Sequence, residues 1–174
     1  MARILIVGGG CRGRRLSEQL VQRGHALRVT TRSESGRAAI EAVGAECWIG
    51  TPDRLATLRG ALDSVTIACW MLAAACGDGE EVAALHGSRL EFFLSQAIDT
   101  TVRGFLYDAA AVSDADVTRE MLRGGEALVE SLTQLNAIPS AVIGAPGAPD
   151  DARAGGDDAW VAAASDTVDC LLGG

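Results

Sequence analysis

The stretch RILIVGGGCRGRRL at positions 3–16 decides the fold of this chain. Its apolar start is short, rich in β-branched residues and bounded by glycines, which predicts a fully buried β-strand. Leu16 and Leu20 then follow at helical spacing, and Gly24 predicts the end of that helix. The sequence therefore predicts a strand, a glycine turn and a helix, in that order.

The glycines of this turn fall in the pattern Gly8-x-Gly10-x-x-Gly13. In such a fingerprint one glycine permits the tight turn, the next lets the backbone approach a pyrophosphate, and the third lets the helix pack on the strand. The helix N-terminus then offers unpaired N–H groups and a partial positive charge to the phosphates. The position between a strand and a helix favours a dinucleotide site over a plain structural turn. The predicted phosphate-binding residues are Gly8, Gly9, Gly10, Cys11, Arg12 and Gly13.

Length and composition narrow the class of protein. A chain of 174 residues predicts one domain, 1–174, with a substantial core. No apolar run reaches the roughly 18 residues of a membrane span and the start does not resemble a signal peptide, so we expect a cytoplasmic protein without a membrane partner. The net charge of -8 argues against a nucleic-acid partner.

The numbers and spacing of cysteine and histidine also favour a cytoplasmic protein, and they predict no metal site. The five cysteines show no C-x-x-C spacing, which favours a reduced cytoplasmic setting. His25 and His86 are the two histidines and stand far apart in the sequence, so no metal site is predicted.

Strand and helix patterns alternate along the rest of the chain. Five further strands are predicted at 25–32, 45–50, 65–72, 102–108 and 138–143. Helices are predicted at 36–43, from a cap at Thr51 with Pro52 in the first turn, at 80–98, from 116 or 118 to 135, and at 160–172 with Asp157 or Asp158 as the cap. Residues 144–158 predict an exposed loop. The alternation predicts a single-domain doubly wound α/β (Rossmann) fold, with a parallel sheet of about six strands and helices on both faces.

The predicted ligand lies at the carboxyl ends of the strands, where the strand order reverses. The second strand ends in Thr31, Arg32 and Ser33 rather than in the acid that holds the ribose in NAD sites. Arg32 suits a 2′-phosphate, with Arg12 as a second candidate, although both arginines could be solvated surface charges. NADP(H) is therefore favoured, with NAD(H) as the alternative. The predicted cofactor site also includes Met71 and Leu72, after the fourth strand, although Met71 is more typical of core.

Beyond these patterns, the chain resembles the atypical short-chain dehydrogenase/reductases, especially the NmrA-like and epimerase-like branch. Gly10-x-x-Gly13 and the residues up to Leu16 are similar to the family's glycine turn, with Val7 where many members have the first glycine. Segments 44–50, 55–65, 85–105, 138–146 and 166–168 resemble later strands and helices of the family in the same order. The resemblance implies a Rossmann fold that binds a dinucleotide, Thr51 in place of the acid beside the adenine, and a homodimer through the long helices.

Catalysis in active family members depends on a Tyr-x-x-x-Lys pair. The resemblance places Thr118 and Leu122 at those two positions, and arginine accounts for all 15 of the Lys and Arg residues, so the chain contains no lysine. The serine expected after the fifth strand is replaced by DAAA at 108–111, and the C-terminal substrate region, 144–174, is short. Catalytic residues are therefore unknown, and Tyr107 is predicted to be core.

Two functions follow from these features. The first is a dinucleotide (redox) sensor or binding module with a protein partner. The second is an NAD(P)H-dependent oxidoreductase that reduces a flavin-like or other small planar acceptor by direct hydride transfer, with Asp108 and Ser113 as candidate polar groups. Cys11 is either a redox-sensitive thiol at a helix start or simply a small residue that fits the turn.

Overall fold

Six parallel strands form one sheet in the computed structural model, which describes residues 1–112, 115–144 and 156–173. The strands are β1 (Arg3–Val7), β2 (Ala26–Thr31), β3 (Glu46–Ile49), β4 (Ile67–Trp70), β5 (Gly104–Asp108) and β6 (Ser140–Ile143). The helices are α1 (Cys11–Gln22), α2 (Arg37–Glu41), α3 (Gly79–Leu85), α4 (Ser88–Ile98), α5 (Arg119–Leu135) and α6 (Gly156–Gly173). The strand order is β3-β2-β1-β4-β5-β6, which confirms the predicted doubly wound α/β fold.

The strand order reverses beside β1, the centre of the sheet. β1 pairs with β2 on one side and with β4 on the other, where Ile4 stands opposite Ile67 and Val7 opposite Trp70. The side chains of residues 4–7 are fully buried and alternate between two cores, because both faces of a parallel sheet are covered by helices. The reversal therefore leaves a crevice at the carboxyl end of β1.

Helices cover the two faces as separate layers. One core contains Leu16 and Leu20 of α1, Ile40 of α2 and Trp160 of α6. The opposite core contains buried side chains of α3, α4 and α5, among them Val82, Phe93, Leu122 and Val129. Tyr107 belongs to this second core and is fully buried, which confirms its prediction as a core residue.

The helix predicted from Thr51 is absent from the described residues and is replaced by two short 3-10 helices, Leu55–Leu58 and Gly60–Leu62. The hydroxyl of Thr57 accepts a hydrogen bond from the Thr51 N–H at 2.9 Å and donates to the Arg54 carbonyl at 2.6 Å. These side-chain bonds, with the Thr57 N–H that also donates to the Arg54 carbonyl, hold residues 51–57 in a turn in place of the predicted helix.

The helix predicted at 80–98 is two helices, α3 and α4, separated at His86 and Gly87. His86 turns into the core, where its Nδ1 lies 2.6 Å from the Tyr107 hydroxyl. The break between α3 and α4 thus coincides with the buried hydrogen bond between His86 and Tyr107.

At the termini of the later helices, one predicted cap is confirmed and another is wrong. The Thr118 hydroxyl accepts from the Met121 N–H at 3.2 Å and so caps α5, as one of the predicted starts requires. Asp157 and Asp158 lie inside the first turn of α6 and pair with arginines of α1, so neither is its N-cap. Most of the predicted loop 144–158 falls outside the described residues.

Two adjacent glycines of α5 offer a matched test of core packing. A Cβ at Gly125 would lie 2.7 Å from Cζ of buried Tyr107, whereas a Cβ at exposed Gly124 would meet no atom within 4 Å. We expect Gly125→Ala to lower the free energy of unfolding by about 1–3 kcal/mol. Gly124→Ala should raise it by about 0.5–1 kcal/mol, as alanine does in an exposed helix interior. Urea denaturation measures both, and equal effects would contradict the packing described here.

Candidate functional site

A cleft of about 470 Å³ lies at the carboxyl ends of β1, β2, β3 and β4, within the range of small-molecule sites. Its walls come from the glycine turn, the ends of β2 and β3, the segment after β4, and helices α3 and α4. The lining residues are Gly8, Gly9, Gly10, Thr30, Thr31, Arg32, Gly50, Thr51, Pro52, Asp53, Met71, Leu72, Ala74, Ala75, Cys76, Gly77, Glu81, Val82, Leu85 and Arg89.

The glycine turn has the geometry that its spacing predicts. Gly8 adopts φ +116°, and a Cβ there would collide with the Met71 carbonyl oxygen. A Cβ at Gly13 would collide with the carbonyl oxygen of Gly8, so only glycine lets α1 pack this closely on the end of β1. Thr30 holds the turn from β2, because its hydroxyl accepts from the Gly8 N–H at 3.1 Å and its carbonyl from the Gly9 N–H at 3.0 Å.

Gly10 precedes α1 and opens it to the cleft. Its backbone is extended, and a Cβ there would meet no atom within 4 Å. In the described part of the chain, no side chain caps α1 and no acidic residue occupies its first turn. The first N–H groups of a helix carry partial positive charge and have no intrahelical partner. This end of the cleft is therefore suited to an anion such as a phosphate.

The end of β2 brings two of its three predicted residues to the cleft, Thr31 and Arg32. Ser33 is not a lining residue, and its hydroxyl lies 2.7 Å from that of Ser35. Among the described residues no carboxylate forms an ion pair with Arg32, so its guanidinium is available at the cleft wall.

An ion pair not indicated by the sequence patterns closes the outer end of the cleft. Asp53, after β3, pairs with Arg89 of α4, and Arg89 also donates to the Glu81 carbonyl at 3.3 Å. The Thr51 hydroxyl donates to the second oxygen of Asp53 at 3.0 Å, so Thr51 orients this carboxylate. Asp53 and Arg89 are 36 positions apart, and no local pattern connects them.

The remaining predicted site residues divide into two groups. Met71, which is buried as expected of core, and Leu72 line the cleft floor. Cys11, an exposed thiol at the start of α1, and Arg12 and Gly13 do not line it. The side chain of Arg12 instead points towards α6.

Arg12 and Asp108 meet at the carboxyl end of β5, outside the cleft lining. Arg12 donates to Asp157 at 3.2 Å and to the Ala110 carbonyl at 3.3 Å, with its guanidinium 5.2 Å from the centre of the Trp160 ring. Asp108 is buried and accepts from the Ala110 N–H at 3.0 Å and from the Trp160 indole N–H at 3.3 Å. Burial raises the pKa of Asp108 to about 6, although the hydrogen bonds and the charge of Arg12 oppose this rise. Ser113, the other candidate polar group, lies outside the described residues.

His86 and Tyr107 form a buried pair that the sequence patterns do not indicate. Burial lowers the pKa of His86 to about 4 and raises the pKa of Tyr107, so both groups are neutral near pH 7. Neither residue lines the cleft. The pair is therefore a core feature that ties the α3–α4 break to β5.

The described ranges contain no group of three or more His, Cys, Asp or Glu residues that could hold a metal ion. Of the helices in those ranges, none is long and apolar enough to cross a membrane. Cys11, Cys47, Cys69 and Cys170 are free thiols.

No protein-family model and no curated protein matches this chain. Among similar solved structures is an epimerase from Methanothermobacter thermautotrophicus, with a TM-score of 0.67 and 17% identity over 81% of this chain and 50% of that one. A UDP-glucuronic acid 4-epimerase from Bacillus cereus in complex with NAD has a TM-score of 0.63 and 12% identity, covering 80% of this chain and 54% of its own. A short-chain dehydrogenase/reductase superfamily protein from Agrobacterium tumefaciens with bound NAD has a TM-score of 0.64 and 18% identity, with 80% and 48% covered.

The chain thus spans about half the length of these structures. At such identities the likeness concerns the fold. It confirms that the resemblance to epimerase-like short-chain dehydrogenase/reductases, first seen in the sequence, extends to the three-dimensional structure.

The buried carboxyl of Asp108 predicts a specific pH dependence of stability. Its pKa is raised in the folded state, so its stabilising contribution is full below about pH 4 and is lost as the pH rises through about 6. Above that pH, Asp108→Asn should raise the free energy of unfolding by roughly 1–3 kcal/mol, because the amide oxygen keeps both acceptor roles without a buried charge. Thermal melts from pH 5 to 8 measure this gain, which should shrink towards pH 5. The exposed control Asp99→Asn should show no such trend, and a pH-independent gain at Asp108 would refute the explanation.

Proposed function

We propose that this protein binds a nicotinamide adenine dinucleotide in the cleft and acts as a dinucleotide (redox) sensor or binding module, without the tyrosine–lysine chemistry of short-chain dehydrogenase/reductases. The observation that carries the proposal is the uncapped N-terminus of α1, which opens through Gly10 onto a cleft at the reversal of strand order. This is the location at which doubly wound sheets bind dinucleotides. The two NAD-bound structures of similar fold add support at the level of the fold.

The residues at the positions of the catalytic pair support a role in binding rather than in proton transfer. Thr118 uses its hydroxyl to cap α5, and Leu122 is fully buried. With no lysine in the chain, no ammonium group is available to lower the pKa of a phenol. Burial raises the pKa of Tyr107, which is hydrogen-bonded to His86 in the core. Tyr107 therefore does not replace the tyrosine of the catalytic pair.

NADP(H) is the dinucleotide that the end of β2 favours. Arg32 lines the cleft without a carboxylate partner in the described residues, and a 2′-phosphate would form charge-assisted hydrogen bonds with it. Asp53, one of the two acids among the lining residues, is engaged by Arg89 and Thr51. We therefore propose NADP(H) as the preferred ligand and NAD(H) as the weaker one.

Gly10→Ala tests the site without disturbing the core. The added methyl group meets no protein atom within 4 Å, so the variant should fold, with a loss of no more than about 1 kcal/mol from the weaker N-cap. The methyl group would stand between the backbone N–H groups and the diphosphate. We expect dinucleotide affinity, measured by calorimetry with NAD⁺, NADH, NADP⁺ and NADPH, to fall about tenfold or more.

Gly124→Ala is the matched control, because it also adds a methyl group in open space but on α5, away from the cleft. Its dinucleotide affinity should equal that of the unmodified protein. Failure of all four dinucleotides to bind the unmodified protein at millimolar concentration would refute the proposed function.

Arg32→Gln tests the cofactor preference. Removal of the guanidinium should weaken NADP⁺ binding about tenfold, through the loss of charge-assisted hydrogen bonds, and leave NAD⁺ binding nearly unchanged. Arg123→Gln, at an exposed position of α5, makes the same change of charge away from the cleft and should alter neither the NADP⁺ nor the NAD⁺ affinity. An equal loss for both dinucleotides would show that Arg32 does not read the 2′-phosphate.

A further inference from the structure

The cleft spans the reversal of strand order and reaches β4, but in the described ranges it does not extend to β5 or β6. A doubly wound sheet consists of two mononucleotide-binding halves, one on each side of the strand-order reversal. Here the lining residues come from the glycine turn after β1, the ends of β2 and β3, the segment after β4, and α3 and α4. Within the described ranges no lining residue follows β5 or β6. In the described ranges the cleft therefore runs from the end of β3 across the reversal of strand order and ends at β4.

The carboxyl end of β5, the next strand beyond the cleft, is covered by protein side chains. Trp160 of α6 is 4% exposed and lies over this end, with its indole N–H 3.3 Å from Asp108. Arg12 reaches the same place from α1 and binds the Ala110 carbonyl. On the β6 side, Gly144 approaches Ala110 so closely that a Cβ at Gly144 would lie 2.6 Å from the Ala110 Cα.

The polar groups at this end already have partners. Asp108 accepts from Trp160 and from the Ala110 N–H, and Arg12 donates to Asp157 and to the Ala110 carbonyl. A nicotinamide riboside placed here would have to displace a buried indole and its hydrogen bonds. The groups that it would need as donors and acceptors are engaged within the protein.

We infer that the cleft recognises the ADP-ribose half of its ligand and makes little use of the nicotinamide half, so that its ligand class is ADP-ribose-containing nucleotides, free ADP-ribose and its 2′-phosphate included. The inference rests on the proposed function for the presence of a nucleotide in the cleft and goes beyond it in naming the recognised part. If only that half is held, the oxidation state of the nicotinamide barely alters affinity. The protein is then a binding module rather than a redox sensor.

Calorimetry on the unmodified full chain tests the inference with NADP⁺, NADPH, 2′-phospho-ADP-ribose and nicotinamide mononucleotide, and with NAD⁺, NADH and ADP-ribose in parallel. We expect each ADP-ribose compound to bind within about fivefold of its parent dinucleotide, the two oxidation states to bind within about fivefold of each other, and the mononucleotide not to bind at millimolar concentration. The inference would be overturned by an ADP-ribose compound that binds more than about fivefold more weakly than its parent dinucleotide, by a larger difference between the two oxidation states, or by binding of the mononucleotide alone.

Two variants sharpen the test. Gly10→Ala should weaken NADP⁺ and 2′-phospho-ADP-ribose by the same factor, because both carry the diphosphate. Trp160→Phe, at the end of β5, should leave the ratio of the two affinities unchanged. A loss in Trp160→Phe confined to the dinucleotide would place the nicotinamide half at β5 and overturn the inference.

Failure of the proposed function has a different signature. Binding of ADP-ribose compounds without binding of any dinucleotide would refute dinucleotide binding and leave recognition of the ADP-ribose half standing. Binding of neither would refute both.

Discussion

The close approach of α1 to the end of β1 is the constraint on which the site depends. Any side chain at Gly13 would collide with the Gly8 carbonyl, so α1 can start against β1 only where that position is glycine. This contact directs the N-terminus of α1 at the reversal of strand order. Gly8, at φ +116°, makes the preceding turn short enough for the helix to begin there. The position of the cleft and its suitability for an anion follow from these two residues.

Local patterns were sufficient for the sheet, and long-range contacts account for the errors. Six short runs predicted the strands to within a few residues. The signal is strongest in β1, β4 and β5, because strands buried on both faces need continuous apolar sequence. The helix predicted at 80–98 is broken because His86 bonds Tyr107, 21 positions later. The helix predicted after Thr51 is lost to hydroxyl bonds from Thr57, a residue with no strong turn signature of its own. Intrinsic helix propensity does not decide the local structure where a tertiary contact stabilises another conformation.

Within the cleft, too, local patterns predicted some residues correctly, whereas long-range contacts determined the others. Eight of the twelve predicted site residues line it, because the ends of adjacent parallel strands meet at one edge whatever the loops do. The Asp53–Arg89 pair was not predictable, since it joins a loop after β3 to a helix on the opposite side of the cleft. The direction of Arg12 depends on α6, whose Asp157 lies 145 positions away. No signal in the glycine turn reveals whether its arginine faces a ligand or a helix.

Charge placement explains how a protein with a net charge of -8 can present an anion site. The acidic residues of α6 pair with basic residues in α1 and directly after it. Asp157 and Asp158 pair with Arg12 and Arg15 at the start of α1, and Asp166 and Asp169 pair with Arg23, which follows its last residue. Exposed pairs of this kind add little stability individually, but they neutralise carboxylates that would otherwise lie near the start of α1. The field at a diphosphate is set by charges within about 8–10 Å, beyond which salt screens the remainder. The N-terminus of α1, and Arg32, which has no carboxylate partner in the described residues, thus influence the cleft more than the total charge does.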